Sequence, residues 1–278
     1  MRIRRAFVDV PDGQAHCRLL GDPSLPALVA LHGSPGSGYS LMPLAQHLAT
    51  GRHVIALDTL GNGDSSPAGV AEPDIAYLAE AHMAAIDALG LDRFDLYGHH
   101  TGAALCTELS IRHAGRIGRI VMDGVSVFEP GESAGLLAHD HAPDIVPDMA
   151  GTQFAAAWTM VRDAHVFWPW WDRRVESLRG LGLPDAGYLH GEALEVLKAS
   201  RTYYHSYRAA LRYPKRERLK LVRNPVLVTC CPTDQLFAHR ESAASLIPGA
   251  VCEVSPERQT EQDRAACAAL MLAFLDAR

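Results

Sequence analysis

The sequence lacks any apolar run that approaches the roughly 18 residues a membrane-spanning helix needs. It also lacks an excess of positive charge, because 26 Lys and Arg stand against 32 Asp and Glu, a net charge of -6. A chain of this charge does not attract nucleic acid or an anionic membrane surface as a whole. The first residues lead into a strand-like run and not into a signal-peptide core, so we expect a cytoplasmic protein.

Cysteine is sparse, with six residues in 278. The six lack the paired spacing of a zinc site and the density of a disulfide scaffold, and most lie inside apolar runs, which predicts reduced, packed thiols. With 48% apolar residues, the chain is long enough for one globular domain or a domain with an insertion.

Short apolar runs alternate with longer segments of helical period, a pattern that predicts helices on both faces of a mostly parallel sheet. We expect strands at 6–10, 14–20, 27–31, 53–57, 94–97, 117–122, 226–230 and 251–254, and helices at 41–49, 75–89, 102–113, from 240, and 260–277. Pro11-Asp12-Gly13 predicts a hairpin turn between the first two strands. The fold class is therefore α/β.

The segment 126–219 differs in composition, since it holds all four tryptophans and five of the eight tyrosines. We interpret it as a helical insert within a core domain formed by 1–125 and 220–278. His139 and His141 are expected in a solvated loop of this insert.

Four motifs follow predicted strands in an informative order. Gly98-His99-His100-Thr101-Gly102 has the G-x-S-x-G pattern with histidine at its centre, and its flanking glycines permit a turn sharp enough to expose the central side chain. His32-Gly33-Ser34-Pro35 and the glycine-rich run 58–65 follow two earlier strands, and Pro232-Thr233-Asp234 follows the first strand after the insert.

Together these motifs resemble those of the α/β-hydrolase fold, and over nearly the whole chain the sequence is most similar to the epoxide hydrolase and haloalkane dehalogenase branch. The H-G-x-P loop, the elbow and Ser206-Tyr207-Arg208-Ala209 carry the resemblance. It implies an α/β-hydrolase core in which the insert forms a helical cap.

The chain departs from this family at two of three catalytic positions. His100 replaces the Ser, Cys or Asp nucleophile, and no histidine follows His239, so the general base expected near 255–259 is missing. Asp234 matches the acid, with Asp123 as an alternative. These departures exclude both a standard Ser-His-Asp mechanism and an Asp-nucleophile ester mechanism.

An imidazole is long enough to fill the gap that the missing histidine leaves, so we expect His100 to contact Asp234 directly. Asp234 would then orient His100 as a general base, which we prefer, or as a nucleophile that forms an acyl-imidazole. The resemblance places oxyanion donors at the backbone amides of Ser34 and Thr101. There are two alternatives. The site is a relic without activity, or His32 and His99 join His100 and Asp234 to bind a metal ion.

The aromatic residues of the insert suit either cap packing or a hydrophobic ligand. The candidate substrate-binding residues are His32, His99, Trp158, Trp168, Tyr203, Tyr204 and Tyr207, with His205 as a possible proton shuttle.

We therefore expect a cofactor-free and metal-free enzyme that hydrolyses an ester or lactone of a hydrophobic or aromatic small molecule, or performs a lyase-type proton abstraction. The rival hypotheses are a catalytically silent ligand-binding protein and a metal-dependent hydrolase. A small molecule is the expected partner, and a homodimer is compatible with the sequence.

Overall fold

The structure, a computed structural model, describes residues 2–139 and 142–277. An eight-stranded sheet lies at its centre, with strand order β1-β2-β4-β3-β5-β6-β7-β8. The strands are β1 Arg4–Val10, β2 Gly13–Leu20, β3 Ala27–Leu31, β4 His53–Leu57, β5 Phe94–His99, β6 Ile117–Asp123, β7 Val226–Cys230 and β8 Val251–Val254. Only β2 runs antiparallel to its neighbours, so the expectation of a mostly parallel sheet is confirmed.

The central strands consist almost entirely of buried apolar residues because helices cover both faces of the sheet. The helices of this part are α1 Met42–Leu48, α2 Ile75–Ala88, α3 Thr101–His113, α9 Arg240–Leu246 and α10 Glu261–Leu275. One apolar cluster lies between the sheet and α2, α3 and α9, and the other between the sheet, α1 and α10. Each helix and strand predicted for the sheet domain is present, with bounds that differ by at most two residues.

Between β6 and β7, the described residues 124–139 and 142–225 form five α-helices. They are α4 Pro130–Ala138, α5 Thr152–Val166, α6 Ala186–Lys198, α7 Tyr204–Arg212 and α8 Lys215–Leu219. A third apolar cluster joins α5, α6 and α7, whereas Ala209, Ala210 and Leu219 pack into the core cluster beside α3. The insert therefore has its own core but shares its last two helices with the sheet domain.

His139 is exposed at the end of α4, and His141, the other residue of the expected solvated loop, lies outside the described residues. Across 2–139 and 142–277, no helix has both the length and the apolar character required to cross a bilayer.

Candidate active site

A single residue makes the turn between β5 and α3. β5 ends at His99 and α3 begins at Thr101, so His100 stands alone between them with φ 50° and ψ -105°. This left-handed conformation is strained for a residue with a side chain. A Cβ on Gly98 would lie 2.4 Å from the Gly102 carbonyl oxygen, and one on Gly102 would lie 2.1 Å from that of Leu31. Both flanking positions therefore need glycine, as the motif predicted.

His100 reaches the carboxylate of Asp234 without an intermediary. Its Nε2 lies 2.8 Å from Asp234 Oδ2, and the backbone amide of Leu236 donates to Oδ1 at 2.8 Å. Burial by itself would raise the pKa of Asp234, but the imidazoles of His100 and His99 hold it well below its usual range. A charged Asp234 keeps the proton of His100 on Nε2, which leaves Nδ1 as the acceptor. That nitrogen makes no hydrogen bond with any described residue.

The ring of His99 stacks on that of His100, with centroids 3.8 Å apart and planes at 20°. Burial, and then the neighbouring His100, lower the pKa of His99, which favours its neutral form. Ligand atoms of His99, His100 and Asp234 all lie within 4.8 Å of one another. However, the lone pairs of nearly parallel rings run side by side and do not converge on one ion, which disfavours a metal here.

The loop after β3 lies directly against the elbow, because a Cβ on Gly33 would lie 3.2 Å from Cβ of His100. The backbone amides of Ser34 and Thr101 donate to no group within the described part of the chain. The hydroxyl of Ser34 pairs with that of Ser206 on α7 at 2.7 Å, so the insert contacts this loop. Two amide donors beside His100 suit a developing oxyanion.

Arg258 follows β8, in the segment where the resemblance places the missing histidine. Its guanidinium donates to Asp123, which is fully buried, and the hydroxyl of Tyr97 donates to the same oxygen at 2.6 Å. Burial would lower the pKa of Arg258, but Asp123 raises it well above the usual value, so Arg258 stays a cation. Asp123 therefore pairs with Arg258, and Asp234 is the carboxylate that contacts the side chain of His100.

A cavity of about 980 Å³ lies between the sheet and the insert, and His99, His100, Thr101, Asp234 and Arg258 line one part of it. Its other lining groups include the aromatic and aliphatic residues Phe128, Trp168, Trp170, Tyr207 and Leu236 and the polar residues Tyr39, His165, Arg179, Tyr188 and Glu192. Its volume is that of a typical small-molecule site.

The structure does not bring every expected residue to this cavity. His32 is fully buried, with Nδ1 donating to the Gly33 carbonyl at 2.7 Å and Nε2 accepting from the Thr59 amide at 3.0 Å. Since both nitrogens are engaged, His32 holds its loop in place and is free for neither substrate nor metal.

Three aromatic candidates face the interior of the insert or its surface. The hydroxyl of Tyr203 donates to the Pro143 carbonyl at 2.5 Å, and Trp158 packs on the apolar cluster of the insert. The ring of Tyr204 lies 4.3 Å from the Arg208 guanidinium. These residues, like His205, are absent from the cavity lining, whereas Trp168 and Tyr207 belong to it.

Sequence reasoning missed Arg179, Arg258, His165 and Glu192. Only Arg258 carried a readable signal, since it is the cation of the segment 255–259, which lacks the histidine. The other three lie on the insert, and their direction depends on how its helices pack.

Comparison with known proteins supports the fold. The model of the α/β hydrolase fold family matches residues 26–169. Epoxide hydrolase A of Mycobacterium tuberculosis is 32% identical over 102 residues, covering 36% of this chain and 32% of that protein. The fluoroacetate dehalogenase of Burkholderia sp is 35% identical over 115 residues, covering 39% and 36%.

The chain thus aligns with about a third of the length of either curated relative. Among solved structures, epoxide hydrolase A from Mycobacterium thermoresistibile superposes with a TM-score of 0.73 at 21% identity, over 99% of this chain and 98% of that one. The relatives are hydrolases, and the chain belongs to the α/β hydrolase fold family.

Proposed function

We propose that this protein is an atypical hydrolase in which His100, oriented by Asp234, activates water for attack on an ester or lactone. The observation that carries the proposal is the 2.8 Å contact between His100 Nε2 and Asp234 Oδ2 at a strained elbow that lines the cavity. It leaves Nδ1 as a base without a competing partner. A positioned general base contributes about 10²- to 10⁴-fold to a rate.

The amides of Ser34 and Thr101 favour a carbonyl substrate over the epoxide or carbon–fluorine bonds named for the relatives. An oxyanion develops when water attacks a carbonyl, and two unpaired backbone donors stabilise it. The relatives' names do not carry over directly, because this chain has an imidazole where a carboxylate nucleophile would be needed. With His100 as the general base, the reaction needs no cofactor, because water and a base suffice for hydrolysis.

The lining of the cavity supports a small hydrophobic or aromatic substrate. Trp168, Tyr207, Phe128 and Leu236 offer apolar surface, and His99 presents a neutral ring beside the base. Burial of aromatic surface supplies most of the binding energy in sites of this kind.

The test is turnover of activated esters and lactones by the wild type and by His100→Ala, with thermal melting to verify that the variant is folded. We expect a loss of about 10²- to 10⁴-fold in kcat/KM. Activity that His100→Ala leaves intact would remove His100 from the mechanism, and ligand binding without any turnover would indicate a silent binding protein.

Two further measurements separate the related mechanisms. Hydrolysis places one oxygen from ¹⁸O-labelled water in the acid product, whereas a lyase reaction on the same base does not. An acyl-imidazole intermediate would produce a burst of the first product, and direct attack by water produces none.

A further inference from the structure

A second histidine–carboxylate pair lies in the same cavity, on the insert. His165 near the end of α5 has its Nε2 2.7 Å from Oε2 of Glu192 on α6. Their side chains are 27% and 20% exposed, and both line the cavity that holds His100. Nδ1 of His165 makes no hydrogen bond with the described residues, so the pair repeats the arrangement of His100 and Asp234.

Aromatic rings hold this pair in place. The ring of Tyr188 stands edge-on to that of His165 at 6.4 Å and stacks on that of Tyr39 at 6.1 Å. Tyr39 comes from the loop before α1, and its hydroxyl packs so closely on α6 that a Cβ on Gly191 would lie 2.2 Å from it. Glu192 and Tyr188 of α6 thus fix the position of His165, and Tyr39 supports Tyr188 from the loop before α1.

One guanidinium connects this pair to the elbow site. Arg179 donates through Nη1 to the carbonyl of Ala164 at 2.6 Å and through Nη2 to that of Thr233 at 3.4 Å. Ala164 precedes His165, and Thr233 precedes Asp234. Arg179 therefore links the chain beside one histidine–carboxylate pair to the chain beside the other, and both pairs line one cavity.

The ion pair is not needed to hold α5 to α6. These helices already pack through Ala157, Val161, Ala193 and Val196 in the apolar cluster of the insert. Partly exposed ion pairs contribute only about 0–1 kcal/mol to stability. A histidine kept in this orientation toward a cavity needs another explanation.

We propose that His165, oriented by Glu192, is the general acid that protonates the leaving group of the substrate. This inference rests on the proposed function and assigns the second proton transfer of that reaction. Water gives a proton to His100 Nδ1 as its oxygen bonds to the carbonyl carbon. Protonated His165 gives its Nδ1 proton to the departing oxygen as the carbon–oxygen bond breaks, and water returns the proton from His100 to His165. The sum is ester and water to acid and alcohol.

Leaving-group dependence tests the assignment. A nitrophenyl group departs as an anion and needs no acid, whereas an ethoxide must be protonated. For the ethyl and nitrophenyl esters of one aromatic acid, we expect His165→Ala to lower kcat/KM of the ethyl ester by about 10²-fold or more and to leave the nitrophenyl ester nearly unchanged. Glu192→Gln should also lower kcat/KM of the ethyl ester and not of the nitrophenyl ester, but by a smaller factor. His190→Ala, an exposed histidine on α6, is the matched control and should change neither.

The possible results separate this inference from the one it rests on. Equal losses on both esters would reduce His165 to a structural residue, and an unchanged ethyl ester rate would exclude it as the acid. If His100→Ala is inactive, either of these results overturns the role of His165 and leaves the proposed function in place. If His100→Ala retains activity on both esters, the proposed function itself fails.

Discussion

Gly124, directly after β6, offers a way to displace the catalytic ring without removing any of its atoms. A Cβ at this position would lie 2.4 Å from Cδ2 and 2.7 Å from Nε2 of His100. Ordinary carbon contacts are about 3.5–4 Å, so Gly124→Ala must move the imidazole by about 1 Å. Because that edge of the ring carries the 2.8 Å contact to Asp234, the displacement breaks the orientation of the base.

The cost in stability has two parts. Gly124 has φ +67°, and a side chain in the left-handed region costs about 1–2 kcal/mol. Loss of a hydrogen bond to a charged group adds about 1.5–3 kcal/mol. Gly249, with φ +70° and nothing within 4 Å of an added Cβ, is the matched control. Gly249→Ala should therefore cost only the backbone contribution of about 1–2 kcal/mol.

The assay is kcat/KM on an activated ester, with the free energy of unfolding measured in urea. We expect Gly124→Ala to lose about 10²-fold or more in kcat/KM while it remains folded, and Gly249→Ala to keep its activity. Full activity of Gly124→Ala, or an equal loss in both variants, would refute the idea that the contact between His100 and Asp234 drives the reaction.

Three further predictions concern other positions. Asp234→Asn should lower kcat/KM about 10²- to 10⁴-fold with little change in KM, because the amide no longer stabilises a protonated His100; steady-state kinetics checks this. Burial lowers the pKa of Lys215 from 10.5 to about 8. Below pH 8 the buried charge therefore lowers the free energy of unfolding, and this loss of stability disappears as the pH rises to 10.5. Lys215→Met should thus raise the free energy of unfolding by up to about 3 kcal/mol at pH 7 and leave it unchanged at pH 10.5. Urea unfolding at the two pH values measures this. Gly63→Ala would place a Cβ 2.2 Å from Oδ2 of the buried Asp58, and thermal and urea unfolding should reveal a loss of about 3 kcal/mol or more.

The apolar patterns were sufficient to predict the helices and strands of the sheet domain. Runs such as 27–31 and 226–230 are buried on both faces, so their composition alone marks them as strands. The turn at His100 was equally readable, because Gly98 and Gly102 leave room for close backbone contacts that no other residue permits.

The aromatic residues of the insert show where such reasoning stops. Tyr203 and Tyr207 lie four positions apart, yet Tyr203 is turned to the Pro143 carbonyl and Tyr207 to the cavity. Neighbouring positions on a helix can serve two different contacts, and only the packing of the insert against the sheet selects which one faces the ligand.

By itself, the sequence determined the α/β scaffold, the elbow at His100 and the carboxylate at Asp234, since these depend on local patterns of apolar residues, glycine and strand ends. Tertiary structure alone decided that Arg258 pairs with Asp123, that both ring nitrogens of His32 bind backbone groups, and that His165 and Glu192 meet across two helices. These contacts join residues far apart in the chain or depend on the direction of one side chain. No local pattern encodes either property, because both follow from how whole elements pack.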